Sequence, residues 1–373
     1  MRSALVSTAA IAVVVLAGCS PVVPASSPSA TVAPTPGQTV DAGTTGPVHP
    51  TGEPMVIASG LQAPWSMVRL ASGSTLISER DSGTVKELTA AGALRDVATI
   101  PGVVHESEGG LLGLEFVHDG SDWLYAYLTT ETDNRVERFP LLGSAGGYSL
   151  GAGEAILTGL QKAGHHNGGR IKLGPDGKLY VTVGDAGVPT NSQDLTKLNG
   201  KILRLNLDGS VPDDNPFVGS LVYSYGHRNP QGLAWDKEGQ LWAAEFGQDT
   251  WDEFNVIRAG GNYGWPIIEG SSDNHAYINP VFEWPTDDAS PSGLAYTRGT
   301  FFLAGLGGKR LWALYPGDTA GSVPYFVGTY GRLRDAVAGP DGTLWILTNN
   351  TDGRGTPQPG DDRILQVELS PGT

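Results

Sequence analysis

Gly174-Pro175-Asp176-Gly177-Lys178-Leu179-Tyr180-Val181 and Gly339-Pro340-Asp341-Gly342-Thr343-Leu344-Trp345-Ile346 are two copies of one pattern. Each sets an Asp-Gly turn ahead of a run of alternating aromatic and aliphatic residues. Asp-Gly in that setting signals a hairpin, because glycine takes the positive φ such turns require. Further copies are Ala71-Ser72-Gly73-Ser74-Thr75-Leu76-Ile77, Asp119-Gly120-Ser121-Asp122-Trp123-Leu124-Tyr125 and Asp236-Lys237-Glu238-Gly239-Gln240-Leu241-Trp242. A weaker copy is Thr300-Phe301-Phe302-Leu303. They recur at roughly 40 to 60 residues, room for four strands and their loops. Six copies predict an all-β, six-bladed β-propeller, whose radial closure removes most exposed sheet edges. The even spacing disfavours an open sandwich.

Outward from the repeats, helical periodicity is nearly absent and glycine is abundant, at 53 of 373 residues. The N-terminus differs. Ala4 to Ala17 is an apolar run too short to span a bilayer but suited to a signal-peptide core. It ends in Leu16-Ala17-Gly18-Cys19, which resembles the bacterial lipobox, a signal whose cysteine is diacylated and becomes the new N-terminus. The expectation is a lipoprotein signal peptide over 1–18 and a lipid anchor at Cys19, holding an extracytoplasmic protein on a membrane. Cys19 is the only cysteine, so none remains for a disulfide or zinc site. From Ser20 to Pro54 the chain is mostly Pro, Ser, Thr, Ala and Gly with few large apolar residues, a composition read as a disordered tether. The propeller is assigned to 55–370. A net charge of −15 argues against a nucleic-acid partner, which would need clustered Lys and Arg.

Five clusters carry candidate chemistry. His165-His166-Asn167-Gly168-Gly169-Arg170 precedes a predicted strand, and Gly184-Asp185-Ala186-Gly187 follows the next one. A strand, turn and strand return the chain beside its start, so Asp185 can accept the far ring proton of His166 and fix its tautomer. Tyr225-Gly226-His227-Arg228-Asn229-Pro230-Gln231-Gly232 offers fixed donors suited to planar carbonyl or carboxylate groups. Glu245-Phe246-Gly247-Gln248-Asp249 is an acidic, glycine-bearing loop able to offer oxygens to a hard cation, without EF-hand spacing. In Gly331-Arg332-Leu333-Arg334-Asp335 strand alternation points both arginines to one face, which reads as an anion clamp unless Asp335 neutralises it. Glu106-Ser107-Glu108-Gly109-Gly110-Leu111-Leu112-Gly113 puts an acidic side chain before a glycine turn.

Together these clusters resemble the soluble quinoprotein glucose dehydrogenase and aldose sugar dehydrogenase family, the glucose/sorbosone dehydrogenases. The resemblance runs in order through Ala63-Pro64-Trp65, Glu108 to Gly113, His166 to Arg170, Gly174 to Gly177 and Gly200 to Asn206. It continues through Gly226 to Gly232, Gly261-Asn262-Tyr263-Gly264-Trp265-Pro266 and the Arg332/Arg334 strand. It implies a six-bladed propeller that binds pyrroloquinoline quinone (PQQ) and Ca2+ and oxidises the C1 hydroxyl of a small-molecule aldose to the lactone, passing electrons to an acceptor the sequence does not identify. His166 would be the general base, Asp185 would orient it, and Arg228 and Asn229 would contact the quinone oxygens, with Arg228 stabilising developing charge. Arg332 and Arg334 would hold the cofactor's carboxylates, with Glu108 and Thr286 also on the cofactor side. The carbonyls of Gly247 and Gln248 would bind calcium, and Trp284 would wall the substrate pocket. The chain departs from the family at His165, where aspartate is common, at Phe246 and Gln248 in the metal loop, and near Lys309, a weak match for a cofactor lysine. Two rival readings are a non-catalytic lipid-anchored propeller scaffold and a calcium-dependent lactonase-type hydrolase.

Overall fold

The computed structural model describes Met1, residues 46–317 and residues 321–372. The signal peptide, Cys19 and the first part of the tether lie outside the described residues. Within them are six antiparallel sheets of four main strands each, numbered here as blades 1 to 6 in chain order. Their first strands are Pro64–Arg69, Leu111–His118, Ile171–Leu173, Pro230–Trp235, Pro291–Thr297 and Leu333–Ala338. These six touch their neighbours in a closed ring around the axis. The all-β six-bladed propeller expected from the repeats is the fold.

Each repeat copy sits at the same place in its blade. Residues 174–178 join Ile171–Leu173 to Leu179–Val183, residues 339–343 join Leu333–Ala338 to Leu344–Thr348, and the other four copies likewise join first strand to second. These turns, Asp176-Gly177 and Asp341-Gly342 among them, therefore line one end of the propeller. Because every first strand runs toward that end, the segments entering first strands gather at the opposite end. So do the loops between second and third strands.

Strand alternation fills the spaces between blades. On Thr300–Gly305, Phe301 and Leu303 pack into the cluster shared with blade 4, while Phe302 and Ala304 pack into the cluster shared with blade 6. Six such clusters exist, one at each blade junction. Period-2 strands with apolar residues on both faces are what two-sided burial requires.

One boundary moves. The stretch up to Pro54 was expected to be tether, yet Val48–Ser59 is a strand. It pairs antiparallel with Arg363–Pro371 from Val48↔Pro371 to Ser59↔Arg363 and becomes the outermost strand of blade 6. Blade 6 is thus completed by pairing the first and last of the described strands. The strand was not legible because an outermost strand has one edge in solvent and can carry polar residues; Glu53, Met55 and Val56 are exposed.

Candidate active site

At the end away from the Asp-Gly turns lies a cavity of about 360 Å³. Glu108, His166, Arg228, Asn229, Gly247, Gln248, Thr286, Arg332 and Arg334 all line it. They arrive from blades 2 to 6, through segments that enter a first strand or that link a second strand to a third. Topology alone brings them together.

His166 occupies the turn before Ile171–Leu173 with φ of +58°, a left-handed conformation that non-glycine residues hold at a cost. Its surroundings fix it there. Its N–H donates to Glu108 Oε2 (3.0 Å), and its carbonyl accepts from the Ala186 N–H (3.1 Å). Two glycines make the close approach possible. A methyl at Gly168 would meet the Thr182 carbonyl at 2.5 Å, and one at Gly184 would overlap the His166 carbonyl. The imidazole Nδ1 lies 2.8 Å from Asp185 Oδ1. Asp185 is fully buried and does not line the cavity. Its Oδ1 also accepts the Gly187 N–H (2.8 Å), and Oδ2 accepts Trp265 Nε1–H (2.9 Å). Burial pushes the Asp185 carboxyl up, but its bonds to His166, Gly187 and Trp265 outweigh that and hold it below the usual carboxylate range. A carboxylate here keeps the proton of neutral His166 on Nδ1, leaving Nε2 as the ring's acceptor.

Arg228 stands across the cavity. Its Nε and Nη2 donate to Gln248 Oε1 (2.9 and 2.7 Å), and its guanidinium lies 5.6 Å from the Trp265 ring. Behind it, Glu245 accepts the backbone N–H of Arg228 and also binds His227 Nδ1 (2.7 Å). Asn229 Oδ1 accepts the Gly168 N–H (3.0 Å), tying this loop to the His166 turn. Burial lowers the Arg228 pKa, with nearby carboxylates opposing.

Arg332 and Arg334 do share one face, and the neutralising residue differs from expectation. Asp335 points the other way, pairing with Arg170 (3.2 Å) and the Met67 N–H (2.9 Å). Asp352 binds Arg332 (3.0 Å) and lies 3.7 Å from Arg334. One carboxylate thus serves two guanidinium groups, with Arg80 near by. Burial, together with Arg332 and Arg80, pulls the Arg334 pKa down to about 9 despite Asp352. Five arginines and three carboxylates line the cavity, an excess of two cations in a chain whose net charge is −15. Such a site is built for an anion.

Trp284 does not reach this cavity. It lies on the outermost strand of blade 4, is 6 % exposed, and packs 5.3 Å from Trp312 at the junction with blade 5. Strand alternation turns it into the blade junction. The aromatic surface of the cavity comes from Trp65 and Phe246. Trp65 lies under the guanidinium groups of Arg170 (4.4 Å) and Arg334 (5.7 Å). Lys309 lines a neighbouring cavity instead.

Several lining residues had no assigned role: Trp65, Arg80, Asp252, Ser290, Asp352 and Arg354. Arg80 and Asp352 follow the second strands of blades 1 and 6, just as Asp185 follows that of blade 3. Their offsets from the strand ends differ from that of Asp185, so no fixed repeat position marked them.

Residues 61–357 match the family model for Glucose / Sorbosone dehydrogenase. The chain belongs to the glucose/sorbosone dehydrogenase family. Among its relatives in that family, quinoprotein glucose dehydrogenase B of Acinetobacter calcoaceticus is 34% identical over 257 residues, covering 60% of this chain and 54% of that protein. Aldose sugar dehydrogenase YliI of Escherichia coli (strain K12) is 28% identical over 342 residues, covering 80% and 90%. The PQQ-bound form of an aldose sugar dehydrogenase from Streptomyces coelicolor superposes with a TM-score of 0.82 at 44% identity, covering 90% of this chain and 100% of that one.

The lining fits the group named in that last structure. PQQ is a flat polycarboxylate, and the excess guanidinium charge beside the Trp65 ring suits one. Backbone oxygens would be suitable ligands for a hard cation here. Among the described residues no group of three or more His, Cys, Asp or Glu side chains is placed to hold an ion, whereas Gly247 and Gln248 lie in the cavity wall.

Proposed function

We propose that this chain is a PQQ- and calcium-dependent dehydrogenase that oxidises the C1 hydroxyl of aldoses to lactones. One observation carries the reading: the His166–Asp185 pair opens onto the same cavity as Arg228, Arg332 and Arg334. When bound, the quinone would accept a hydride from sugar C1, polarised by the calcium ion as a Lewis acid.

The protein supplies the rest. His166 Nε2 would take the C1 hydroxyl proton while the C1 hydrogen leaves with both bonding electrons as hydride, so that the sugar becomes the lactone by loss of two electrons and two protons in all. Asp185 stabilises the resulting imidazolium through Nδ1. Arg228, braced by Gln248, offers a fixed cation where negative charge develops. Arg332 and Arg334 hold carboxylates, and Glu108 fixes the backbone of His166. Glu108, Asn229 and Thr286 would flank the cofactor, and Gly247 and Gln248 would bind the metal. A propeller hydrolase centred on calcium would need converging carboxylates, which the lining does not gather.

The test is reconstitution. Purified protein given PQQ and calcium gains aldose-dependent dye reduction that requires both. His166→Ala lowers turnover by roughly 10²- to 10⁴-fold while still binding the quinone. No gain on reconstitution, or full turnover in His166→Ala, refutes the reading. We further propose that Cys19 carries a lipid anchor outside the cytoplasm, tested by fatty-acid labelling that Cys19→Ser abolishes.

A further inference from the structure

The loop carrying Gly247 and Gln248 is wound around a single carboxylate oxygen. Glu269 Oε1 accepts the backbone N–H groups of Gln248 (2.6 Å), Asp249 (3.1 Å), Thr250 (3.0 Å) and Trp251 (3.1 Å). Successive N–H groups converging on one anion form a nest. The winding is tight enough to require glycine at its start. A methyl at Gly247 would overlap the Trp251 carbonyl and meet Glu269 Oε1 at 2.7 Å. The segment bearing Glu269 is itself pinned, since the Gly270 N–H donates to Glu253 Oε1 (2.7 Å) and the Ser271 N–H to Glu283 Oε2 (2.8 Å).

The N–H and C=O of a trans peptide point in opposite directions. The peptides after Gly247 and Gln248 are trans. Drawing the N–H groups of Gln248 and Asp249 inward therefore turns the carbonyls of Gly247 and Gln248 away from Glu269. We infer that Glu269 is the positioning residue of the calcium site: its carboxylate gathers the loop's N–H groups so that two carbonyl oxygens face the ion. The negative charge also polarises those peptides, strengthening their oxygens as acceptors. This rests on the reading that calcium binds at Gly247 and Gln248.

Two variants of the full chain test it. Glu269→Ala removes the acceptor, and Glu269→Gln keeps an oxygen without the charge. Calcium is titrated calorimetrically into each protein with saturating PQQ, and amide hydrogen exchange is measured without calcium. Glu269→Ala raises the calcium Kd by roughly 10- to 100-fold, Glu269→Gln raises it less, and excess calcium restores turnover in both. The amides of residues 248–251 lose protection in Glu269→Ala. A wild-type Kd in Glu269→Ala, or full protection of those amides, overturns the inference alone. A wild-type protein that binds no calcium overturns the metal reading and this inference with it. If Glu269→Ala does not fold, Glu269→Gln carries the same comparison.

Discussion

Replacing Asp185 by asparagine separates the charge of the His166 partner from its shape. The carboxylate accepts three bonds, from His166 Nδ1 and Gly187 N on Oδ1 and from Trp265 Nε1 on Oδ2. An amide with its oxygen toward His166 keeps the first two and opposes its NH₂ to the Trp265 donor. That loses one bond in a buried site, about 1–3 kcal/mol of stability. The opposite rotamer sets NH₂ against Nδ1, moves the imidazole proton to Nε2 and removes the base outright. Even in the better rotamer the imidazolium formed during turnover loses its counter-charge. A unit charge about 4 Å away is worth about 4 kcal/mol at an effective dielectric of 20, or roughly 10³-fold in rate. The expected result is a kcat lower by about two to three orders of magnitude, with KM little changed because Asp185 does not line the cavity. Steady-state dye reduction by the reconstituted variant measures it, with a thermal melt to show that the protein is folded. A kcat within about threefold of wild type would refute the base–orienter assignment.

Three further outcomes follow from the geometry. Arg334→Ala removes a buried cation and leaves Gln231 and Asp352 short of a partner; spectroscopic titration should show PQQ affinity lowered by roughly 10- to 150-fold, and unchanged affinity removes Arg334 from the clamp. Gly184→Ala drives a methyl into the His166 carbonyl and to 2.9 Å from Asn229 Oδ1; it should destabilise by about 1–3 kcal/mol and lower kcat, whereas an unaltered melt and kcat would show that the turn is not tight. Burial raises the Asp252 carboxyl from 3.8 to about 7, against the bonds it accepts from the Gly247 and Ser290 N–H groups. In cofactor-free protein the folded state keeps a proton that the unfolded chain has already released. The stability this gives is fully present below the unfolded value and is lost as pH rises toward about 7. Melts at about pH 5 and about pH 8 should show that slope in wild type and a shallower one in Asp252→Asn; equal slopes would contradict the assignment.

Much of this architecture is legible in the chain because a propeller repeats its punctuation. Asp176-Gly177 and Asp341-Gly342 occupy the same connection, first strand to second, in blades 3 and 6, so six copies predict six blades. The closing strand Val48–Ser59 escaped because its partner lies more than 300 residues away and its polar composition reads as tether. The His166–Asp185 pair was accessible from spacing, since a hairpin of known length returns beside its start. Asp352 was not, because its partners Arg332 and Arg334 reach it across a blade, with no local pattern to mark it. Trp284 shows the converse. Its residue type suits a sugar pocket, but one strand position sends it between blades.

The closing strand decides where the chain enters the ring. Val48 pairs with Pro371, and the adjoining Pro47 carbonyl accepts the Gly372 N–H. Pro47 also lies against Gly299, in the hairpin turn of blade 5, 3.4 Å from where a methyl would sit. Pro47 therefore sits at the floor of the barrel, the pole remote from the arginine-rich mouth. If Cys19 carries the proposed lipid, a leash reaching the barrel at Pro47 would leave the mouth unobstructed.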